Sequence, residues 1–138
     1  MKWPRAVRGF RLRNSIVSSA GDTISSDLHM TYAVVVRSSA WRDVERNFNR
    51  LAQNSTQGAA DWYGAFLQAA SELAEAPSQY PIVANLRRPS AIVRFKLFQT
   101  RRGRPYHLVF TIDESDAVVH VLCVRSPGQP PVRRRDLT

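Results

Sequence analysis

Apolar residues first recur with strand and helix periods from residue 31 onward. The β-branched run TYAVVVR at residues 31–37 predicts a short strand. Beyond it, apolar residues return every three or four positions, which predicts a helix that begins near Ala40, with Ser38 or Ser39 as its cap. The members of this apolar stripe are Trp41, Val44, Phe48 and Leu51.

A second helical pattern follows the polar segment QNSTQG, in which Ser55 or Thr56 can cap the new helix. This helix is predicted to end before Pro77, and residues 77–90, which hold three prolines, are predicted to form a loop. Two antiparallel helices joined by a short turn are therefore expected. The apolar positions of the second helix are Ala59, Trp62 or Tyr63, Phe66, Ala70 and Leu73.

Three further apolar segments, at about residues 91–99, 105–113 and 117–125, predict consecutive antiparallel strands. Gly103 suits the turn between the first two strands, and the sequence DESD suits the next turn. The order strand, helix, helix and three strands is typical of an α+β domain. We expect two antiparallel helices packed on one face of a small, mainly antiparallel four-stranded sheet.

The alternation within these strands also predicts which side chains lie on the open face of the sheet. The apolar positions should pack under the helices, so the polar positions between them should face solvent. In the last strand, Arg125 should share a face with Val121 and Cys123. The polar side chains expected together on one open, basic surface are Arg94, Lys96, His107 and Arg125.

The two ends of the chain differ from this core. Residues 1–29 are basic and polar and lack the continuous apolar segment of a secretory signal. They are predicted to be an extension that is disordered, or a misassigned start, and translation is expected to begin at Met30 rather than Met1. Residues 30–126 form the predicted domain, and residues 127–138 form a tail rich in proline and arginine.

The charge balance adds an expectation about partners. The chain has 20 Lys and Arg against 11 Asp and Glu, a formal charge of +9, and only two of the cations are lysines. Because the planar guanidinium binds phosphate or carboxylate through two hydrogen bonds, an anionic partner is expected, either nucleic acid or an acidic protein segment. Arginine-rich codon usage would give the same balance.

Two arginine clusters are candidate contacts for such a partner. The first cluster surrounds the predicted hairpin turn in the stretch RRGRPYHLVFTID and consists of Arg101, Arg102 and Arg104. Three interpretations are open: contact with nucleic-acid phosphates, contact with a partner protein, or a solvated charged turn. The second cluster lies in the predicted tail, where it screens phosphates or is simply solvated. Its members are Arg133, Arg134 and Arg135.

Cysteine and histidine usage narrows the chemistry. The single cysteine, Cys123, excludes an intramolecular disulfide, and the three histidines are scattered without the spacing of a zinc site. A reduced, cytoplasmic location and the absence of metal or other cofactor are therefore predicted. No apolar run approaches the roughly 20 residues that a membrane span needs, so no membrane association is expected.

Four phrases, in this order, resemble the RelE/ParE superfamily of type II toxin–antitoxin toxins, which includes plasmid stabilization proteins. YAVVVRSSAWRDVERNFNRLA is similar to the opening strand and to a first helix whose first turn holds an acidic residue, here Asp43. AADWYGAFLQAASELAEAPSQYP is similar to the second helix. IVRFKLFQTRRGRPYHLVFTID resembles the arginine-bearing hairpin, and VVHVLCVRSPGQ resembles the last strand. The resemblance covers about residues 31–129.

The resemblance implies one partner and two possible activities. RelE-like members cleave mRNA in the ribosomal A site without a metal, using cations that stabilise the charge formed as the ribose 2′-hydroxyl attacks the phosphate. ParE-like members inhibit DNA gyrase instead. In both cases a cognate antitoxin neutralises the toxin. A degenerate member would be non-toxic and act only as a protein-binding or operon co-repressor module.

Position by position, the match to the nuclease branch is partial. Arg94 and Lys96 lie where the family places basic residues on the second strand, and Arg125 matches the arginine at the end of the last strand. His107 stands where nuclease members usually carry a catalytic arginine, and Ser126 replaces the usual histidine. The predicted catalytic set is therefore Arg94, Lys96, His107 and Arg125, but the two departures fit a ParE-like or degenerate member at least as well.

Overall fold

The structure is a computed structural model, which describes residues 11–12, 31–83, 92–130 and 132–133. Some predictions concern residues outside these ranges. They are the start at Met30, the roles of Arg134 and Arg135, the rest of the N-terminal extension, and the part of the predicted loop at residues 84–90. The strands are β1 (Arg11–Leu12), β2 (Ala33–Val36), β3 (Val93–Phe98), β4 (Tyr106–Asp113) and β5 (Val118–Arg125). The helices are α1 (Ser38–Ala52), α2 (Thr56–Glu72) and a 3-10 helix (Pro77–Gln79).

The described strands form one mixed sheet in the order β1-β2-β5-β4-β3. β3, β4 and β5 are antiparallel neighbours, whereas β2 runs parallel to β5. A parallel pair needs a long crossover connection, which the two helices and two strands between β2 and β5 in sequence provide. The predicted α+β class is confirmed, with a sheet of mixed direction. The two residues of β1 lie within the predicted N-terminal extension and pair antiparallel with β2.

Both helices pack on one face of this sheet and enclose the main core. Phe66 is fully buried, and its ring lies 5.7 Å from that of Trp41 and 6.0 Å from that of Phe98, measured between centroids. These contacts join α1, α2 and β3 through one side chain. The strand residues that complete the core under the helices include Val34, Val36, Leu108, Phe110, Val119 and Val121.

The two helix starts differ in the way they are capped. The Ser55 side chain accepts a hydrogen bond from the N–H of Gly58 at 2.9 Å, so the predicted cap of α2 is confirmed. The predicted serine cap of α1 is wrong, because Arg37 occupies the cap position and makes no side-chain hydrogen bond there. Ser39 instead donates its hydroxyl to the carbonyl oxygen of Leu122 at 2.6 Å.

The first helix also replaces β2 along part of β5. β2 pairs with β5 only as far as Val121, and no described strand lies beside the next residues of β5 on that side. The Ser39 hydroxyl donates a hydrogen bond to the Leu122 carbonyl, and the Asp43 carboxylate accepts one from the N–H of Val124 at 2.9 Å. Two side chains of α1 therefore satisfy the backbone groups that a longer β2 would have paired.

A register shift between β4 and β5 changes which face the last residues of β5 occupy. Val109 lies opposite Cys123, but the next residue of β4 lies opposite Val121, so Leu122 is an extra residue on β5. An extra residue reverses the alternation beyond it. Val121 therefore packs under the helices, whereas Cys123 packs on the opposite face. The prediction that Arg125 shares a face with both was wrong for Val121.

Candidate functional site

The four residues of the predicted catalytic set lie on opposite faces of the sheet. Arg94 and Lys96 are paired across β3 and β4 with Phe110 and Leu108, which belong to the core under the helices. Directly paired residues in a sheet point to the same face, so both cations lie on the helix side. The predicted single basic surface is therefore wrong: His107 and Arg125 form a separate pair on the other face.

Arg94 and Lys96 are each engaged by the segment that leaves α2. Arg94 donates from Nη1 to the backbone carbonyl of Tyr80 at 2.7 Å, and the Lys96 ammonium lies 3.0 Å from a carboxylate oxygen of Glu72. The same ammonium lies 4.9 Å from the centre of the Tyr80 ring. Hydrogen bonds from the Gln68 amide and from Lys96 lower the pKa of Glu72 below its usual value. These contacts fasten the chain after α2 to β3.

His107 and Arg125 are neighbours on the open face of the sheet. They are directly opposite each other on β4 and β5, and the centre of the His107 ring lies 5.0 Å from that of Phe95 on β3. Burial disfavours the charged imidazolium and the Arg125 guanidinium repels it, so the pKa of His107 is lowered from 6.5. His107 is therefore mainly neutral at pH 7 and can accept a proton.

The segment after β5 turns back over this pair. Arg125 donates from Nη2 to the carbonyl of Pro130 at 2.6 Å, and the Gln129 side chain accepts the N–H of Ser126 at 2.6 Å. Val132 then packs against a small apolar cluster of Val93, Val109 and Cys123 on the open face. A cavity of about 210 Å³ remains between this segment and the sheet, and both His107 and Arg125 line it.

A second, larger cleft lies at the hairpin end of the domain. It has a volume of about 430 Å³ and is bounded by the end of α1, the start of α2, the β3–β4 hairpin and the residues just after β5. Arg50, Arg102 and Arg104 line it, together with the aromatic residues Trp62 and Tyr106. We call this feature the arginine cleft. It brings together two of the three arginines that the sequence placed at the hairpin turn.

The hairpin turn itself is ordered by local hydrogen bonds. The N–H of Gly103 donates to the carbonyl of Thr100 at 3.1 Å, and the Gln99 amide donates to the carbonyl of Gly103 at 3.2 Å. Arg101 is exposed on the same turn but does not line the arginine cleft. Arg133 in the predicted tail is also exposed. The nucleic-acid role of these arginines stays a prediction.

Arg50 was not identified from the sequence, although a signal for it was present. Its guanidinium donates to the side-chain oxygen of Asn47 at 2.9 Å and to the hydroxyl of Tyr106 at 2.8 Å. Asn47 is only 5% exposed and lies three residues after Val44, within the apolar stripe of α1. A polar residue at a buried position needs a hydrogen-bond partner, and one helical turn further lies Arg50.

Comparison with known proteins identifies no relative. No family model, curated protein or solved structure matches the chain. Within the part of the chain that the structure describes, no cluster of three or more His, Cys, Asp or Glu residues could hold a metal ion. No helix among the described residues is long and apolar enough to cross a membrane.

Proposed function

We propose that the protein is the toxin of a type II toxin–antitoxin system, similar to the RelE/ParE superfamily, and that it acts by binding its target. The four sequence phrases that carry the resemblance fall on β2–α1, α2, the β3–β4 hairpin and β5. The element order and the position of both helices on one face of a small sheet agree with the fold that the resemblance implies.

The separation of the four predicted catalytic residues is the observation that favours inhibition by binding over cleavage. Metal-independent cleavage of RNA requires several cations aimed at one phosphate in the transition state. Arg94 and Lys96 are instead on the helix side and engaged by Tyr80 and Glu72. Only His107 and Arg125 remain together. The ParE-like activity, inhibition of DNA gyrase, is therefore the function that we favour.

Cleavage of mRNA at the ribosome is a second candidate, because His107 and Arg125 lie side by side. A neutral imidazole could take the proton of the ribose 2′-hydroxyl as that oxygen attacks the phosphorus, while the guanidinium holds the phosphate. The 5′-oxygen would then leave and be protonated from water. The lowered pKa of His107 favours the form that accepts a proton. In this candidate the segment carrying Pro130 has to move, since it occupies Arg125.

Induction of the full chain in bacteria without an antitoxin tests these possibilities. Gyrase inhibition predicts growth arrest, blocked DNA supercoiling by the purified protein, and intact cellular mRNA. Cleavage predicts new mRNA 5′ ends that map to ribosomal A sites and disappear in His107→Ala and Arg125→Ala but persist in Arg101→Ala, whose residue is exposed on the hairpin. Normal growth would contradict both activities and leave the protein-binding or operon co-repressor module.

The same proposal includes a cognate antitoxin that neutralises the protein. Given the charge of +9, its binding segment should be acidic as well as amphipathic. Co-expression of a small acidic protein encoded beside this chain should restore growth and copurify with it. Growth arrest that no neighbouring gene product relieves would contradict the toxin–antitoxin assignment.

A further inference from the structure

The arginine cleft has the size and composition of a ligand site. Its volume of about 430 Å³ lies within the roughly 300–1,000 Å³ that is typical of small-molecule sites. Leu51, Trp62 and Pro127 contribute apolar wall, and three arginines also line the cleft. Such a mixture suits a ligand that has both a flat apolar part and a strongly anionic part.

Within the described part of the chain, no ion pair explains why three arginines line one cleft. Among the described residues, none of Arg50, Arg102 and Arg104 lies within ion-pairing distance of a carboxylate. Bringing like charges together around a partly enclosed space is unfavourable unless an anion binds there. The positive charge of these three arginines therefore lacks a counter-ion among the described residues, whereas Lys96 has Glu72 beside it.

Arg50 is also held in place before any ligand binds. Its Nη2 donates to buried Asn47 and to Tyr106, which is 6% exposed, so the orientation of the guanidinium is fixed by the core. Both bonds use the same nitrogen, so the other N–H groups of the fork are available. A pre-oriented fork loses less rotamer entropy when it binds an oxyanion.

We propose that the arginine cleft binds the phosphate group of a nucleotide, with the base against its apolar wall. Three guanidinium groups match the several oxygens of a phosphate better than a single carboxylate. The base of a free nucleotide or of an unpaired strand is available for such a contact, whereas bases within a duplex are stacked and paired. The cleft lies on the helix side of the sheet, so this site is distinct from the His107–Arg125 pair and its test does not depend on toxicity.

Binding is measured with the purified full chain, adenosine monophosphate and a single-stranded ten-residue oligouridylate, by calorimetry and by tryptophan fluorescence. Trp62 lines the cleft, so both ligands should change its emission. In Trp62→Phe the fluorescence change should be lost, which assigns the signal to this cleft residue. Equal affinity for the two ligands identifies a free nucleotide as the natural source, and much tighter binding of the oligouridylate identifies a single strand.

A matched pair of double variants separates the cleft from general charge. Arg102→Ala with Arg104→Ala removes two cleft arginines that are exposed at the hairpin. Arg42→Ala with Arg46→Ala makes the same charge change at exposed residues outside the cleft. We expect the first pair to weaken binding about tenfold or more and to lower the salt slope for the oligonucleotide by about 1.4, and the second pair to change affinity less than about threefold.

Arg50→Lys adds a test that keeps the positive charge but loses the planar fork, and weaker nucleotide binding is expected. Three results would overturn the proposal. One is the absence of binding of either ligand, and another is an equal loss of affinity in the two double variants. The third is that a glutamate-rich peptide binds and loses affinity in the Arg102→Ala, Arg104→Ala variant, whereas neither nucleotide ligand shows that loss. The cleft would then be a protein-binding site.

Discussion

Replacement of Asp43 by alanine removes the contact through which α1 satisfies the backbone of β5. The carboxylate accepts the N–H of Val124 at 2.9 Å, beyond the point where β2 ends. Val124 is 1% exposed, so in the variant its N–H would be left without an acceptor in a buried position. The second contact of Asp43, an ion pair with Arg46, involves an arginine side chain that is 64% exposed.

The magnitude follows from these two environments. A hydrogen bond to a charged group contributes about 1.5–3 kcal/mol, and a buried donor left unpaired costs about 1–3 kcal/mol. The two figures describe overlapping effects, so we expect Asp43→Ala to lower the free energy of unfolding by about 2–3 kcal/mol. Arg46→Ala removes only the exposed ion pair and should cost about 0.5 kcal/mol or less. Asp43→Asn should fall between them, because its amide oxygen can still accept.

Urea unfolding of the four proteins at low salt and in 1 M NaCl provides the measurement. Salt at this concentration screens exposed charges beyond about 3 Å, so the small effect of Arg46→Ala should disappear. The effect of Asp43→Ala should persist, since the hydrogen bond to Val124 is partly buried. If Asp43→Ala costs no more than Arg46→Ala at either salt concentration, the reasoning about the end of β2 is wrong.

Three further substitutions test other parts of the structure. NMR titration of His107 should give a pKa below 6.5, and Arg125→Met should raise that pKa. Because the fold favours the neutral ring, the contribution of His107 to stability is present above pH 6.5 and is lost as pH falls through the folded pKa. A measured pKa of His107 above 6.5 would contradict this prediction. Phe66→Ala should lower the free energy of unfolding by about 3–5 kcal/mol, and a loss below about 1 kcal/mol would show that this ring is not central to the core. Lys96→Met should cost about 0.5–1 kcal/mol at neutral pH and much less in acid, once Glu72 is protonated; an equal cost at both would assign the effect to packing.

The helices were predictable because their apolar stripes are determined by a single covered face. The predicted stripe of α1 places Trp41, Val44 and Phe48 in the core, and all three are buried. The predicted positions of α2 at Ala59 and Phe66 are buried as well. In an amphipathic helix on a sheet, only one face can be apolar and covered, so the period alone gives the orientation.

The strand faces could not be assigned in this way, since alternation identifies two faces without showing which one the helices cover. Val93 and Phe95 are apolar, yet they lie on the face away from the helices, where they pack in a small cluster with Val132. Arg94 and Lys96 face the helix side because the Tyr80 carbonyl accepts a hydrogen bond from Arg94 and the Glu72 carboxylate pairs with Lys96. Those acceptors are distant in sequence from β3, so no local pattern indicates them.

The extra residue in β5 was also invisible in the sequence. AVVHVLCVR is apolar at nearly every position, so its alternation carries no marker of the shift at Leu122. The consequence is functional as well as structural. The shift places Cys123 and Arg125 together on the open face, and Arg125 then lies opposite His107. The pair proposed for the second candidate activity thus depends on a feature that only the fold defines.

Strand β4 carries both candidate sites because consecutive residues point to opposite faces. The hydroxyl of Tyr106 holds Arg50 at the arginine cleft, and His107 lies beside Arg125 on the other face. The two sites share no lining side chain apart from Ser126 and Pro127, which border both. Because His107 lies on the opposite face and does not line the cleft, His107→Ala should leave nucleotide affinity at the cleft within about twofold of wild type. Calorimetry with adenosine monophosphate measures this, and a large loss of affinity would show that the two sites form one continuous surface.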